Sequence, residues 1–311
     1  MSTEYSGMMR KRKLCSAAGP LFHCLVDSLV PKPPPQYRGR LAPSPTGYLH
    51  LGHARTFWMA QLRARQRGGT LILRNDDLDR DRCKPEFVQA MFEDLRWFGF
   101  EWSEGPDIGG QFTPYNQSQR MDYYRRALAK LRCKNFIYPC TCSRKDIQNA
   151  VTAPHAADDE LVYPGTCRQN RERNIEDRKF SWRFRVPDGE VVSFIDGNLG
   201  EQRLVAGVDF GDFVVWRHDD LPAYQLACVV DDATMRVTEV VRGEDLLVSS
   251  ARQILVYRAL ELVQPAFFHC PLMRDENGER LAKRHDALAL RTLRSRCANP
   301  EDLRGDWTLQ N

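Results

Sequence analysis

The chain has 311 residues, 28% of them charged and 42% hydrophobic, a balance that suits a globular main domain with a smaller appendage. No apolar run approaches the roughly 18–20 residues of a spanning helix, and ten cysteines with no convincing signal peptide argue for cytosolic thiols, some of them metal ligands, over a disulfide framework. The net charge is +4, of which residues 1–37 carry +3, so any nucleic-acid surface must be a local patch on a balanced background.

In chain order, residues 1–37 combine a basic stretch, an apolar segment broken by Gly, Pro and His, and the linker-like PKPPPQ, and read as a disordered tail. From Tyr37 the pattern becomes regular. YRGRLAP predicts a short strand entering a loop, and HARTFWMAQLRARQRGG a helix stopped by glycines. TLILRND predicts a buried strand, and KPEFVQAMFEDLRWFGF an amphipathic helix with Phe87, Val88, Met91, Phe92 and Leu95 on one face. QSQRMDYYRRALAKLRC is a further helix. Strand, helix and strand with glycine-rich crossings predict an α/β fold with a doubly wound parallel sheet of Rossmann type. Residues 140–170 break the rhythm and read as an insertion between a first half at 38–139 and a second at 171–290, with a short tail at 291–311. In the second half SWRFRVP, VVSFIDG, DFVVWR, VTEVVRG and FFHCPLM predict strands. PAYQLACVVDD and SSARQILVYRALEL predict helices, the latter capped by Ser249 or Ser250.

Three constellations carry chemistry. The loop APSPTGYLHLGH (42–53) joins a strand to a helix. Its Pro43 and glycines let backbone approach a ligand, and the helix start offers N–H groups to phosphate. Gly52 leaves room for an adenine or ribose, and His50 and His53 supply donors for phosphate oxygens. Arg280, Lys283 and Arg284 cluster in GERLAKRHDA, where cations in a mobile loop could neutralise a departing pyrophosphate. Cys140, Cys142 and Cys167 have spacing for a structural zinc site once a fourth donor arrives, His155 or Cys133 being the usual chemical types.

RLAPSPTGYLHLGH together with RLAKR resembles the paired signatures of class I aminoacyl-tRNA synthetases. The PSPTG lead-in, VVDD and VVRGEDLL are similar to the glutamyl/glutaminyl subgroup, over Arg38 to Leu290. Only about 25 residues follow the basic loop, which predicts no anticodon-binding domain. That shortness and the Cys140-x-Cys142 … Tyr163-x3-Cys167 insertion resemble the glutamyl-queuosine tRNA(Asp) synthetases, in which tyrosine, here Tyr163, is the fourth zinc ligand. The resemblance implies activation of L-glutamate by ATP with Mg2+, transfer to queuosine at the wobble position of tRNA(Asp), one structural Zn2+, and a cytoplasmic enzyme, expected to be a monomer without membrane association.

By the same resemblance, His50, His53 and Lys283 are catalytic, and Pro43, Gly52, His53, Arg280 and Lys283 hold ATP. Arg40, Ser44, Asp76, Tyr224 and Arg242 hold glutamate, Arg242 facing the side-chain carboxylate. A local ion pair between Arg242 and Glu244 or Asp245 is the competing reading of that arginine. RNDDLD (74–79) departs from the family's RIEDxD, so Asp76 stands where a glutamate takes the substrate ammonium, with a carboxylate about 1.5 Å further back. Ala282 and Arg284 depart from the second signature, and Cys228 replaces the asparagine of discriminating glutamyl enzymes. A truncated synthetase charging a tRNA 3′ end, and a non-catalytic RNA-binding relative, are the alternatives.

Overall fold

The computed structural model describes residues 36–143, 145–147, 162–169, 179–273, 288–305 and 307–308. The predicted tail at 1–37 therefore lies almost wholly outside the described residues, as do His155, Arg280, Lys283 and Arg284.

Strand β1 (Arg38–Leu41) leads into helix α1 (Leu51–Gln66), and β2 (Thr70–Leu73) pairs with β1 in parallel. Helix α2 (Pro85–Phe98) opens with Pro85, whose missing N–H costs nothing there, and ends at Gly99 in the left-handed region (φ 92°). A side chain at 99 would also stand 2.9 Å from an Arg304 guanidinium nitrogen. Helix α3 (Met121–Cys133) follows, then β3 (Ile137–Cys140), β4 (Ser181–Phe184), β5 (Val191–Asp196), β6 (Gly200–Val205) and β7 (Phe213–Trp216). Helix α4 (Tyr224–Thr234), β8 (Glu239–Gly243), α5 (Leu247–Leu260) and β9 (Ala266–Cys270) complete the second half.

The sheet is only partly the parallel one expected. β8 and β9 pair in parallel, and β5 joins β9 in parallel, but β5 and β6 form an antiparallel hairpin. β3, β4 and β7 make a separate antiparallel sheet. β1 lies against β8, joined by the Thr238 N–H donating to the Arg38 carbonyl (2.9 Å). The carboxyl ends of β1, β2, β8 and β9 thus gather on one side, where ligands bind in open α/β sheets.

Two apolar cores flank this edge. One is built on α3, α4, α5 and the second-half strands, the other on α1, α2 and β2. On α2 the buried face is centred on Ala90, Met91, Leu95 and Phe98, while Phe87, Val88 and Phe92 are half-buried. Ser249 and Ser250 do not cap α5. A 3-10 turn at Glu244–Leu246 starts the coil earlier, and both serines lie inside the first turns. Beyond residue 288, where the sequence suggested a tail, α6 (Leu290–Ser295) and α7 (Pro300–Arg304) dock on α2 through Arg294 to Glu93 (2.7 Å) and Arg304 to the Phe98 carbonyl (3.1 Å). Among the described residues no helix is long and apolar enough to cross a membrane.

Candidate active site

A cleft of about 540 Å³ opens at the carboxyl ends of these strands. Arg40, Pro43, Ser44, His50, Gly52, His53, Asp76, Tyr224 and Arg242 all line it, so every predicted nucleotide or glutamate residue that is described faces one space. Backbone pairing explains the convergence. The β1–β2 ladder continues past the strands as Arg74 N–H to Leu41 O (2.8 Å) and Asp76 N–H to Pro43 O (3.0 Å), which ties the 42–50 loop to RNDDLD.

His50 caps α1. Its Nδ1 accepts from the Gly52 N–H (3.1 Å), while His53 Nδ1 accepts from the His50 N–H (3.4 Å), and the rings lie 3.7 Å apart. With Nδ1 accepting, each imidazole carries its proton on Nε2, as a donor. A Cβ at Gly52 would stand 3.1 Å from the His50 ring, so glycine there protects the cap as well as the space beyond it.

Deeper in, charges interlock. Arg74 is fully buried and donates from Nε to Asp76 Oδ1 (2.6 Å), from one terminal nitrogen to Asp232 Oδ1 (2.6 Å), and from the other to Asp76 Oδ2 (3.1 Å). Asp231 next door is held by Arg120 (2.7 Å), Tyr124 (2.8 Å) and Gln117 (2.8 Å). The VVDD pair therefore divides, one carboxylate bracing helices and the other facing the cleft arginines. Arg40 donates to the Val241 carbonyl (2.9 Å) and has its Nε 3.5 Å from Asp232, without a hydrogen bond on that Nε. Burial pushes the Asp76 carboxyl up to about 6, against the pull of Arg74. Cys228 lines the same cleft with Sγ 3.8 Å from Arg74.

Arg242 is different. It is 4% exposed, and among the described residues no carboxylate lies within ion-pairing distance of it. Its guanidinium donates to Gln253 Oε1 (2.9 Å), Ser250 Oγ (2.6 Å), His269 Nε2 (3.3 Å) and the Tyr224 hydroxyl (3.4 Å). The competing local ion pair does not form. Glu244 instead accepts from the Leu272 N–H (3.1 Å), and Asp245 folds over Gly243, where an added Cβ would stand 2.5 Å from its Oδ1. A buried cation surrounded by neutral acceptors is costly unless an anion arrives from outside.

The cysteines also converge. The sulfurs of Cys140, Cys142 and Cys167 lie within 4.8 Å of one another. Cys142 Sγ is 3.4 Å from Cys167 Sγ, and the Tyr163 hydroxyl is 3.4 Å from Cys140 Sγ and 3.5 Å from Cys142 Sγ. Donors about 2.0–2.3 Å from one tetrahedral centre stand roughly 3.5–3.8 Å apart, so the 3.4–3.5 Å separations are close to those of a zinc site, and the sulfurs up to 4.8 Å apart would draw together around the ion. Cys133, a chemically usual fourth donor, is instead exposed at the end of α3. Burial opposes thiolate formation at Cys167, but the Thr141 N–H, Tyr163 and the other two cysteines outweigh it and bring its thiol down to about 7. Arg168 ties this loop to the antiparallel sheet through both Asp212 oxygens (2.6 and 2.8 Å).

The sequence motifs did not mark Arg74, Asp232, Gln253, His269 or Asp196 as site residues, and Ser250 stood there only as a candidate helix cap. The alternation of VVSFID and the facing of RG by HC in two predicted strands were the available signals for Asp196 and His269.

Residues 36–303 match the model for the catalytic domain of class I tRNA synthetases for E and Q. The chain is 48% identical over 263 residues to a glutamyl-Q tRNA(Asp) synthetase of Nitratidesulfovibrio vulgaris, covering 83% of this chain and 81% of that one. It is 49% identical over 273 residues to the enzyme so named in Symbiobacterium thermophilum, covering 86% and 84%. A solved glutamate-tRNA synthetase from Elizabethkingia anophelis superposes with a TM-score of 0.72 at 31% identity, over 80% of this chain and 53% of that one.

Proposed function

Because the chain belongs to the class I tRNA synthetase family of the glutamate and glutamine type, we propose that it activates L-glutamate with ATP and transfers the glutamyl group to queuosine at the wobble position of tRNA(Asp). The observation that carries this is Arg242, a buried guanidinium with neutral neighbours at the inner end of a cleft that begins at a helix N-terminus. Similarity across more than four-fifths of two glutamyl-Q tRNA(Asp) synthetases supports queuosine over a tRNA 3′ end.

In this reading glutamate lies with its side-chain carboxylate on Arg242 and Tyr224, its α-carboxylate near Arg40 and Ser44, and its ammonium toward Asp76. The ATP phosphates meet the start of α1, where Nε2 of His50 and His53 donate, and Pro43 and Gly52 give the nucleotide room. An α-carboxylate oxygen attacks the α-phosphorus and the bond to pyrophosphate breaks, leaving glutamyl-adenylate. Arg280 and Lys283 neutralise the departing charge, and Mg2+, when bound to the triphosphate, would add to that neutralisation. A queuosine hydroxyl then attacks the acyl carbon and AMP leaves. No side chain acts as nucleophile; positioning and preorganised charge lower the barrier. Residues 38–139 and 171–290 act as two halves of one catalytic unit around a 140–170 insertion, in a cytoplasmic monomer. A zinc ion held by Cys140, Cys142, Tyr163 and Cys167 would cross-link that insertion.

The test is transfer of labelled glutamate. Queuosine-bearing tRNA(Asp) should accept it and the unmodified transcript should not; equal labelling of both would assign the chain to 3′-end charging.

Asp76 must be ionised to receive an ammonium. With its carboxyl raised to about 6, protonation removes that acceptor as pH falls, and kcat/KM for glutamate in ATP–pyrophosphate exchange should drop about tenfold from pH 7 to pH 5. Asp76→Asn should be weak throughout and lack this limb; an identical limb in that variant would place the titration elsewhere. Metal analysis should find about one zinc per chain, and Cys142→Ser should lose most of it and open the 140–170 segment to protease. Wild-type protein free of zinc after purification without chelators would contradict the structural-zinc reading.

A further inference from the structure

We propose that Asp196 and His269 act as positioning residues for Arg242 by fixing a single histidine tautomer; the proposal rests on the reading of Arg242 as the group that receives the glutamate side-chain carboxylate. His269 is fully buried and stands directly opposite Arg242 in the parallel β8–β9 register. Its Nδ1 is 2.6 Å from Asp196 Oδ2. The other oxygen of Asp196 accepts backbone N–H groups from Asn198 (3.0 Å), Leu199 (3.0 Å) and His269 itself (3.2 Å). A carboxylate so held accepts, and the imidazole proton therefore sits on Nδ1.

Nε2 is then a lone pair, and its neighbours are the Arg242 Nε at 3.3 Å and the Ser250 Oγ at 2.9 Å. A proton on Nε2 would set N–H against N–H and turn the guanidinium away. With Nε on His269 and the terminal nitrogens on Ser250 and Gln253, the guanidinium has one orientation. The Tyr224 contact marks the edge that faces the cleft. The arrangement also supplies a counter-charge that does not compete with substrate. Asp196 offsets the buried guanidinium from one imidazole away, whereas a carboxylate in direct contact would occupy the donors that glutamate needs.

Amide mimicry separates positioning from bulk structure. Glutamine places its carbonyl near the Nε2 position, and asparagine places its amide near Nδ1. His269→Gln therefore keeps an acceptor for Arg242, while His269→Asn keeps only the Asp196 side. In glutamate-dependent ATP–pyrophosphate exchange, Asp196→Asn and His269→Asn should raise the glutamate KM about 10- to 100-fold, with kcat within about threefold and a collapsed preference for glutamate over glutamine. His269→Gln should stay within about threefold of wild type in all three. Ring 15N NMR of the ligand-free chain should find His269 protonated on Nδ1, and on Nε2 in Asp196→Asn. An Nε2–H form or an imidazolium in wild type, unchanged KM and selectivity in Asp196→Asn, or equal damage from Gln and Asn at 269 would each overturn the proposal. Failure of the Arg242 reading looks different: Arg242→Gln retaining wild-type glutamate kinetics while the His269 tautomer is as expected.

Discussion

Arg242→Gln is expected to lower kcat/KM for glutamate in ATP–pyrophosphate exchange by about two to three orders of magnitude, while the melting temperature stays unchanged or rises. The two halves of this result come from the same fact. The guanidinium is buried among neutral acceptors and, among the described residues, has no carboxylate in ion-pairing range. In the ligand-free fold its charge is a burden, since desolvation is not offset by a direct partner. With glutamate bound, the same charge meets a carboxylate in a water-poor site, where a charge-assisted hydrogen bond is strong. Glutamine at 242 removes the charge and ends its amide near the position of the arginine Nε, within reach of His269 Nε2. Kinetics and melting curves on one preparation check both signs; a large loss of stability with glutamate affinity retained would make Arg242 a structural cation.

Lys283→Ala should lower the maximal exchange rate by about two orders of magnitude or more, with the glutamate KM little changed. Lys283 lies outside the described residues, so the case rests on where the flanking chain is. Met273 lines the cleft at the end of β9, and on the far side Ala289 bridges to His50 while the Leu290 N–H donates to the Leu49 carbonyl (2.7 Å). The segment bearing Arg280 and Lys283 thus leaves from and returns to the edge of the same cleft. A cation delivered there acts on charge that develops as pyrophosphate departs, which is why the rate should respond and ground-state glutamate binding should not. Pre-steady-state measurement of adenylate formation checks this; unchanged rates would remove the segment from the mechanism.

The parts of the site legible in sequence are those whose chemistry is local. The 42–53 loop announces a strand-to-helix turn through Pro, Gly and His, and α1 begins at its end with His50 as cap. Helix α2 is bounded by Pro85 and Gly99, and its existence was readable even though its buried face is turned toward Ala90 and Phe98 from the one inferred. The three cysteines were legible from their spacing, and Arg242 through the resemblance of VVRGEDLL to the glutamyl/glutaminyl subgroup. What was not legible depends on partners distant in the chain. Arg74 reads as one charge among many until Asp232, 158 residues later, is found against it. Ser250 looks like a helix cap, because Ser before an apolar run commonly is one. The 3-10 turn at Glu244–Leu246 moves the helix start and frees that hydroxyl for Arg242. The β5–β6 hairpin makes the sheet mixed where alternating strands and helices suggested a parallel one. Its second strand, GEQRLV, is mostly exposed and has too weak an apolar alternation to declare itself.

Cys228, where the resemblance leads one to expect asparagine in discriminating glutamyl enzymes, has a physical reading here. Cys228 lines the cleft beside Arg74 and Asp76, and burial pushes its thiol well above the ordinary range, so it presents a small neutral surface. In the proposed reading, selection of the amino acid rests on the arginines, above all on Arg242.

The most direct measurement is ATP–pyrophosphate exchange by the purified, zinc-loaded chain with glutamate, glutamine and aspartate in turn. Glutamate should support exchange, with glutamine and aspartate lower by about two orders of magnitude, because one leaves Arg242 facing a neutral amide and the other falls short of it. Exchange of equal strength with glutamine, or none with glutamate, would contradict a cleft in which Arg242 receives the substrate's side-chain carboxylate.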